Sequence, residues 1–154
     1  MEEIIDINKS IYNALKTYLE GKGYTIGNGN DEIEILHAYP DATDEIHLPS
    51  MSLDYSIITP EEDDEELGFC RSDYDFELGI FARDYQERDK LLAVTGGFFK
   101  QSIILYNYPV SATPIAYGTI RFSDVEMRPD QELSEQEERK FASAVFFTAS
   151  IVKE

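Results

Sequence analysis

From Asp73 to Ile80 the chain alternates without a break: Tyr74, Phe76, Leu78 and Ile80 are apolar, and Asp73, Asp75, Glu77 and Gly79 lie between them. Successive side chains of a strand point to opposite faces, so this run fits a strand with one buried and one wet face. A strand of this kind needs neighbours on both sides and a layer over its apolar face, which places it at the centre of the fold. Directly after it, Asp84 and Glu87 form a capping-box pattern, and Leu91, Leu92, Val94, Phe98 and Phe99 continue as a helix. Gly96-Gly97 weakens that helix, as either a kink or a close approach to the sheet would require.

The rest of the chain supplies the partners. Ile4, Ile7, Ile11, Leu15 and Tyr18 recur at spacings of three and four, the mark of an amphipathic helix that ends at Gly21 and Gly23. Ile33, Ile35 and Leu36 read as short extended segments after a turn-rich stretch at Gly27-Asn28-Gly29-Asn30. His47 to Ile58 alternates as a strand, with Pro49 confining its early part to an edge or irregular position. Ser102 to Tyr108 stops at Pro109, and Ala116 to Met127 gives a long strand of mixed alternation. Phe141 to Val152 is a strand apolar on both faces, to be buried within the domain or against a neighbour. The order helix, strands, helix, strands predicts one α+β domain over residues 1–154, a mostly antiparallel sheet packed by two main helices.

Charge narrows the function. Thirty-one acidic residues against thirteen basic ones give a formal charge of -18, and the basic residues are scattered. Gripping nucleic acid or an anionic membrane needs clustered Lys and Arg, so neither is expected. No apolar stretch approaches the length of a membrane span, and MEEIID carries acid where a secretory signal needs base, so synthesis and residence in the cytosol are expected. The single cysteine, Cys70, cannot form an internal disulfide and reads as a small packing residue.

Two runs concentrate the acid. Six consecutive carboxylates, Glu61, Glu62, Asp63, Asp64, Glu65 and Glu66, repel one another and read as a solvated loop. Asp130, Glu132, Glu135, Glu137 and Glu138 form a second acidic loop, in which Ser134 and Glu137 suffice for at most a helical turn. As surfaces, the two runs would meet a basic partner or line a passage through which DNA slides without sticking.

Catalytic chemistry finds little purchase. Asp73, Asp75 and Glu77 share one strand face at about 7 Å spacing, which would suit a metal-dependent hydrolase only with a Lys or His that no neighbouring motif supplies. His37, Asp41, Asp44 and His47 match no zinc spacing and read as surface polar residues. The chain has no GxSxG, phosphate-binding glycine loop, GxGxxG or CxxC. No catalytic residue, cofactor site or metal site is assigned.

The run from Tyr74 to Asp84, YDFELGIFARD, passing into Gln86-Glu87-Arg88-Asp89-Lys90-Leu91-Leu92, resembles the strand-to-helix unit of tail terminator and neck proteins of tailed bacteriophages. The likeness covers roughly residues 73–108 as sequence texture and 4–152 as a layout. It implies a structural subunit, not an enzyme, that forms a homo-hexameric ring at the head-proximal end of the tail tube. Such a ring stops tube growth and docks the head connector, with tail tube protein and connector protein as partners and DNA passing through the lumen without specific binding. The implied location is the virion neck, after assembly in the host cytoplasm, with no membrane involved. Under this resemblance the acidic runs become partner or lumen surfaces, and Phe141, Val145, Phe147 and Ile151 become candidates for subunit packing. Six copies each carrying -18 must offset their repulsion by apolar contact, screening or cations. The alternatives are another neck, head-completion or baseplate adaptor, or an acidic cytosolic protein-binding module.

Overall fold

The computed structural model describes residues 2–38, 40, 45–58, 62–64, 69–110, 112–129 and 141–153. In it the central strand is longer than its alternation suggested. β4 (Phe69–Ala82) pairs antiparallel with β2 (Ser50–Ile58) on one side and with β7 (Phe141–Lys153) on the other. Beyond β2 lies β1 (Glu34–Leu36), which pairs with it in parallel, and beyond β7 lie β6 (Ile115–Arg128) and β5 (Ile103–Asn107). The short β3 (Glu62–Asp64) pairs with the start of β4 and brings the sheet to seven strands.

Both helices cover one face of this sheet. α1 (Glu2–Gly21) buries Ile4, Ile7, Ile11, Leu15 and Leu19 in the same core as Met51, Leu53, Tyr74, Phe76, Leu78 and Ile80. It ends where Gly23 takes φ +93, which lets Gly23 N–H reach Glu20 O at 3.1 Å and Tyr24 N–H reach Leu19 O at 3.1 Å. That pair of bonds satisfies the last carbonyls of the helix, and the left-handed position favours glycine.

α2 (Tyr85–Phe98) begins as expected: the Asp84 side chain accepts from Glu87 N–H at 2.8 Å. The reciprocal half of the capping box is displaced by one residue, because Glu87 Oε1 accepts from Arg83 N–H at 3.0 Å. Its two glycines serve close approach. A Cβ on Gly96 would run into the tip of Met127 of β6, and one on Gly97 into the Tyr18 hydroxyl of α1, which donates to Val94 O at 2.8 Å. Beneath the end of α2, Phe98, Phe99, Phe122, Phe147 and Phe76 form a continuous aromatic cluster, with Phe99 and Phe147 centroids 4.5 Å apart and Phe76 and Phe147 stacked at 5.4 Å. Ring pairs at such distances add packing energy beyond the area they bury.

Two sequence expectations change here. The acidic run at 61–66 is not simply a loop: Glu62–Asp64 is strand, with Glu62 in register with Arg71, Asp63 with Cys70 and Asp64 with Phe69. Backbone pairing along the β4 arm offsets the like-charge repulsion that favoured a loop; Glu61, Glu65 and Glu66 lie outside the described residues. The apolar strand β7 is interior to the sheet, between β4 and β6, so its apolarity on both faces is used within the chain. Val145, Phe147 and Ile151 are buried under the helices and Phe141 is half-buried, so this set does not form a subunit-packing surface. The helical turn expected near Ser134 lies outside the described residues.

Candidate interaction surfaces

The register places the points at which the two acidic runs attach. β3 pairs with the first residues of β4, whose Arg71 lies opposite Val152 near the end of β7. The second run joins the end of β6 at Arg128 to the start of β7 at Phe141, which lies opposite Ala82 at the end of β4. The eleven steps from Arg71 to Ala82 span roughly 36 Å at about 3.3 Å per residue. The attachment points of the two runs therefore sit at opposite ends of the sheet. Asp130, Glu132, Glu135, Glu137 and Glu138 themselves lie outside the described residues.

On the face away from the helices, the polar side of β4 is only half wet. Asp73, Asp75 and Glu77 are half-buried, and Phe81 is fully buried, its ring lying over Gly79. A Cβ on Gly79 would stand 2.6 Å from Ser52 Oγ and 3.3 Å from the Phe81 ring, so this crossing requires glycine. Thr148 Oγ1 of β7 donates to Asp75 Oδ1 at 2.7 Å. Glu77 stands in register with Asp54 on β2 and Phe146 on β7. Burial, and then the Asp54 carboxylate, push Glu77 above its ordinary 4.5, while Arg128 pulls it back. Arg128 lies with its guanidinium 4.2 Å from the Phe146 ring centroid and pairs with Glu126 at 3.0 Å.

This arrangement holds the carboxylates of β4 in place through a hydroxyl donor and a nearby guanidinium. Among the described residues no group of three His, Cys, Asp or Glu side chains is placed to hold a metal ion. His37 stacks on Tyr12 at 4.4 Å, and His47 Nε2 lies 2.7 Å from Glu32 O, so the two histidines have separate local partners. Asp41 and Asp44 lie outside the described residues. No described helix is long and apolar enough to cross a membrane.

Sequence reading missed how the sheet edges are treated. At the β5 edge, α1 supplies polar side chains: Ser10 Oγ accepts from Tyr106 N–H at 3.0 Å, and Asp6 Oδ1 accepts from Tyr108 N–H at 3.1 Å. Asp6 also accepts from the Tyr117 hydroxyl at 3.3 Å, and burial next to this carboxylate pushes the phenol up to about 12. Asn13 Nδ2 donates to the Tyr108 hydroxyl at 3.0 Å. The signal was a polar stripe, Asp6, Ser10 and Asn13, at spacings of four and three beside the apolar one. Compared with known protein families and with curated proteins, the chain matches none.

Proposed function

We propose that this protein is a structural assembly subunit of a tailed bacteriophage, a tail terminator that forms a ring on the head-proximal end of the tail tube and docks the head connector. The observation that carries this reading is that the two acidic runs attach at opposite ends of one sheet, at points roughly 36 Å apart along β4 at about 3.3 Å per residue. A subunit held between a tube on one side and a connector on the other needs a contact surface at each end. Like charge around a passage would let DNA move through without binding, since it repels the phosphate backbone. The strand-to-helix unit that carries the resemblance, β4 into α2, is the scaffold that sets the two ends apart.

Electron microscopy of particles made when the gene is disrupted tests the reading. Tubes of uncontrolled length beside unattached heads are expected. Normal tails on leaking heads would move the protein to the head side, and unaltered particles would leave the acidic binding module. In solution the protein is expected to be mainly monomeric at low salt and to associate as salt rises, because six copies each carrying -18 repel until screened. Association that weakens with salt counts against the ring.

A further inference from the structure

The sheet is stepped at both sides, and the two steps match. β5 covers β6 only from Ile115 to Ile120, so among the described residues Arg121–Arg128 of β6 pairs with β7 alone. On the other side, β1 covers β2 only from Ser50 to Ser52, and no described strand pairs with the outer edge from Leu53 to Ile58. Traced through the ladders, the two bare stretches lie at one level of the sheet: Glu126 is in register with Phe146, Phe146 with Glu77 and Glu77 with Asp54. Three antiparallel pairings separate β6 from β2, so the two strands run in opposite directions. Copies arranged side by side by rotation about an axis along the strands therefore bring the β6 edge of one against the β2 edge of the next as an antiparallel pair. A contact between two different surfaces of one chain propagates, and closes into a ring when the rotation divides a full turn.

We infer that the Arg121–Arg128 edge of β6 pairs with the Leu53–Ile58 edge of β2 in a second copy of this chain, joining the sheets of neighbouring subunits. The inference rests on the ring reading above and names its interface. Charge favours this occupant. In a chain of -18, the segment from Arg121 to Arg128 holds two Arg against Asp124 and Glu126, and the segment from Leu53 to Ile58 holds one carboxylate, Asp54. The first stretch is neutral overall and the second carries one negative charge. Exposure agrees: Val125 and Met127 on one edge are 39% and 41% exposed and Tyr55 on the other is 42% exposed. Beside Tyr55 a hollow of about 360 Å³ is lined by Ile4, Ile5, Asn8, Lys9 and His37. In a joined sheet at this level, Met127 stands opposite Leu53 with Tyr55 diagonal to it on the helix side, and on the other side Glu126 stands opposite Asp54 with Arg128, ion-paired to Glu126, diagonal to Asp54, so that one guanidinium serves the two carboxylates. The β5 edge differs in having α1 alongside it, where Ser10 Oγ and Asp6 Oδ1 accept from Tyr106 and Tyr108 N–H, whereas on β2 a side chain of the strand itself, Asp54, accepts from Tyr55 N–H at 2.9 Å.

Hydrogen–deuterium exchange of the full chain, at low salt and in the salt-associated state, tests this without any mutation. Slowed exchange in both 121–128 and 53–58 on association is expected. Protection of 121–128 alone would mean β6 pairing with its own copy, and overturns the inference. Assembly into a ring without protection at either edge overturns it too, while leaving the ring reading intact. A protein that stays monomeric at every salt concentration overturns both. Val125→Lys, a charge placed on the open edge, is expected to weaken association at least about tenfold with an unchanged circular dichroism spectrum. Unaltered association of a folded Val125→Lys protein would count against the edge contact.

Discussion

β4 has two faces built from alternate residues of one strand, and they behave differently. Tyr74, Phe76, Leu78 and Ile80 enter the common core with both helices. Asp73, Asp75 and Glu77 face the other way and are neither core nor freely solvated. The helix side stabilises by close packing, where a missing methylene is felt at once. The far side holds charges in a partly dry setting, where stability depends on hydrogen bonds and on which carboxylates carry a proton. A strand can thus carry the core of a protein on one face and a tunable surface on the other.

Substitutions along β4 and its neighbour β7 test that difference. Phe76→Ala, which empties a fully buried site stacked on Phe147, is expected to lose about 3–5 kcal/mol, read as a lower urea midpoint. A loss no larger than that of a far-face change would show that the helix side is not close-packed. Thr148→Val keeps the shape but removes the donor to Asp75, and about 1 kcal/mol is expected from the same denaturation curves. Wild-type stability in this variant would mean that water replaces the hydroxyl without loss.

The smallest effect has the opposite sign. Glu77 holds its proton more tightly in the folded chain than in the unfolded one, so its contribution to stability falls as pH rises from its ordinary 4.5 through the raised folded value. Glu77→Gln is therefore expected to raise the melting temperature at neutral pH and to leave it unchanged in acid, where the carboxyl is already neutral. A gain that is the same at both pH values would trace to packing and not to charge.

Much of this fold was legible in the residues. The β4 alternation, the spacing of isoleucines in α1, the Asp84 cap and the two strands after Pro109 all correspond to elements in place, because each is a local pattern whose period matches a backbone geometry. The acidic run was read by composition as a loop, yet part of it is strand, because pairing with β4 is a non-local gain that composition cannot carry. Phe141, Val145, Phe147 and Ile151 were open between core and interface for the same reason. Apolarity states that a side chain will be buried, not by what.

By itself, then, the sequence determined the class of elements, the strongly acidic composition, and which residues seek burial. The tertiary structure alone decided that β7 lies inside the sheet, that the two acidic runs attach at opposite ends, that α1 supplies polar side chains to the β5 edge, and that, among the described residues, parts of β6 and β2 at one level have no outer strand partner. The physical reason is that strand order and register depend on contacts between residues far apart in the chain. Hydrophobic period is a property of neighbours, and it constrains those contacts only through the face it exposes.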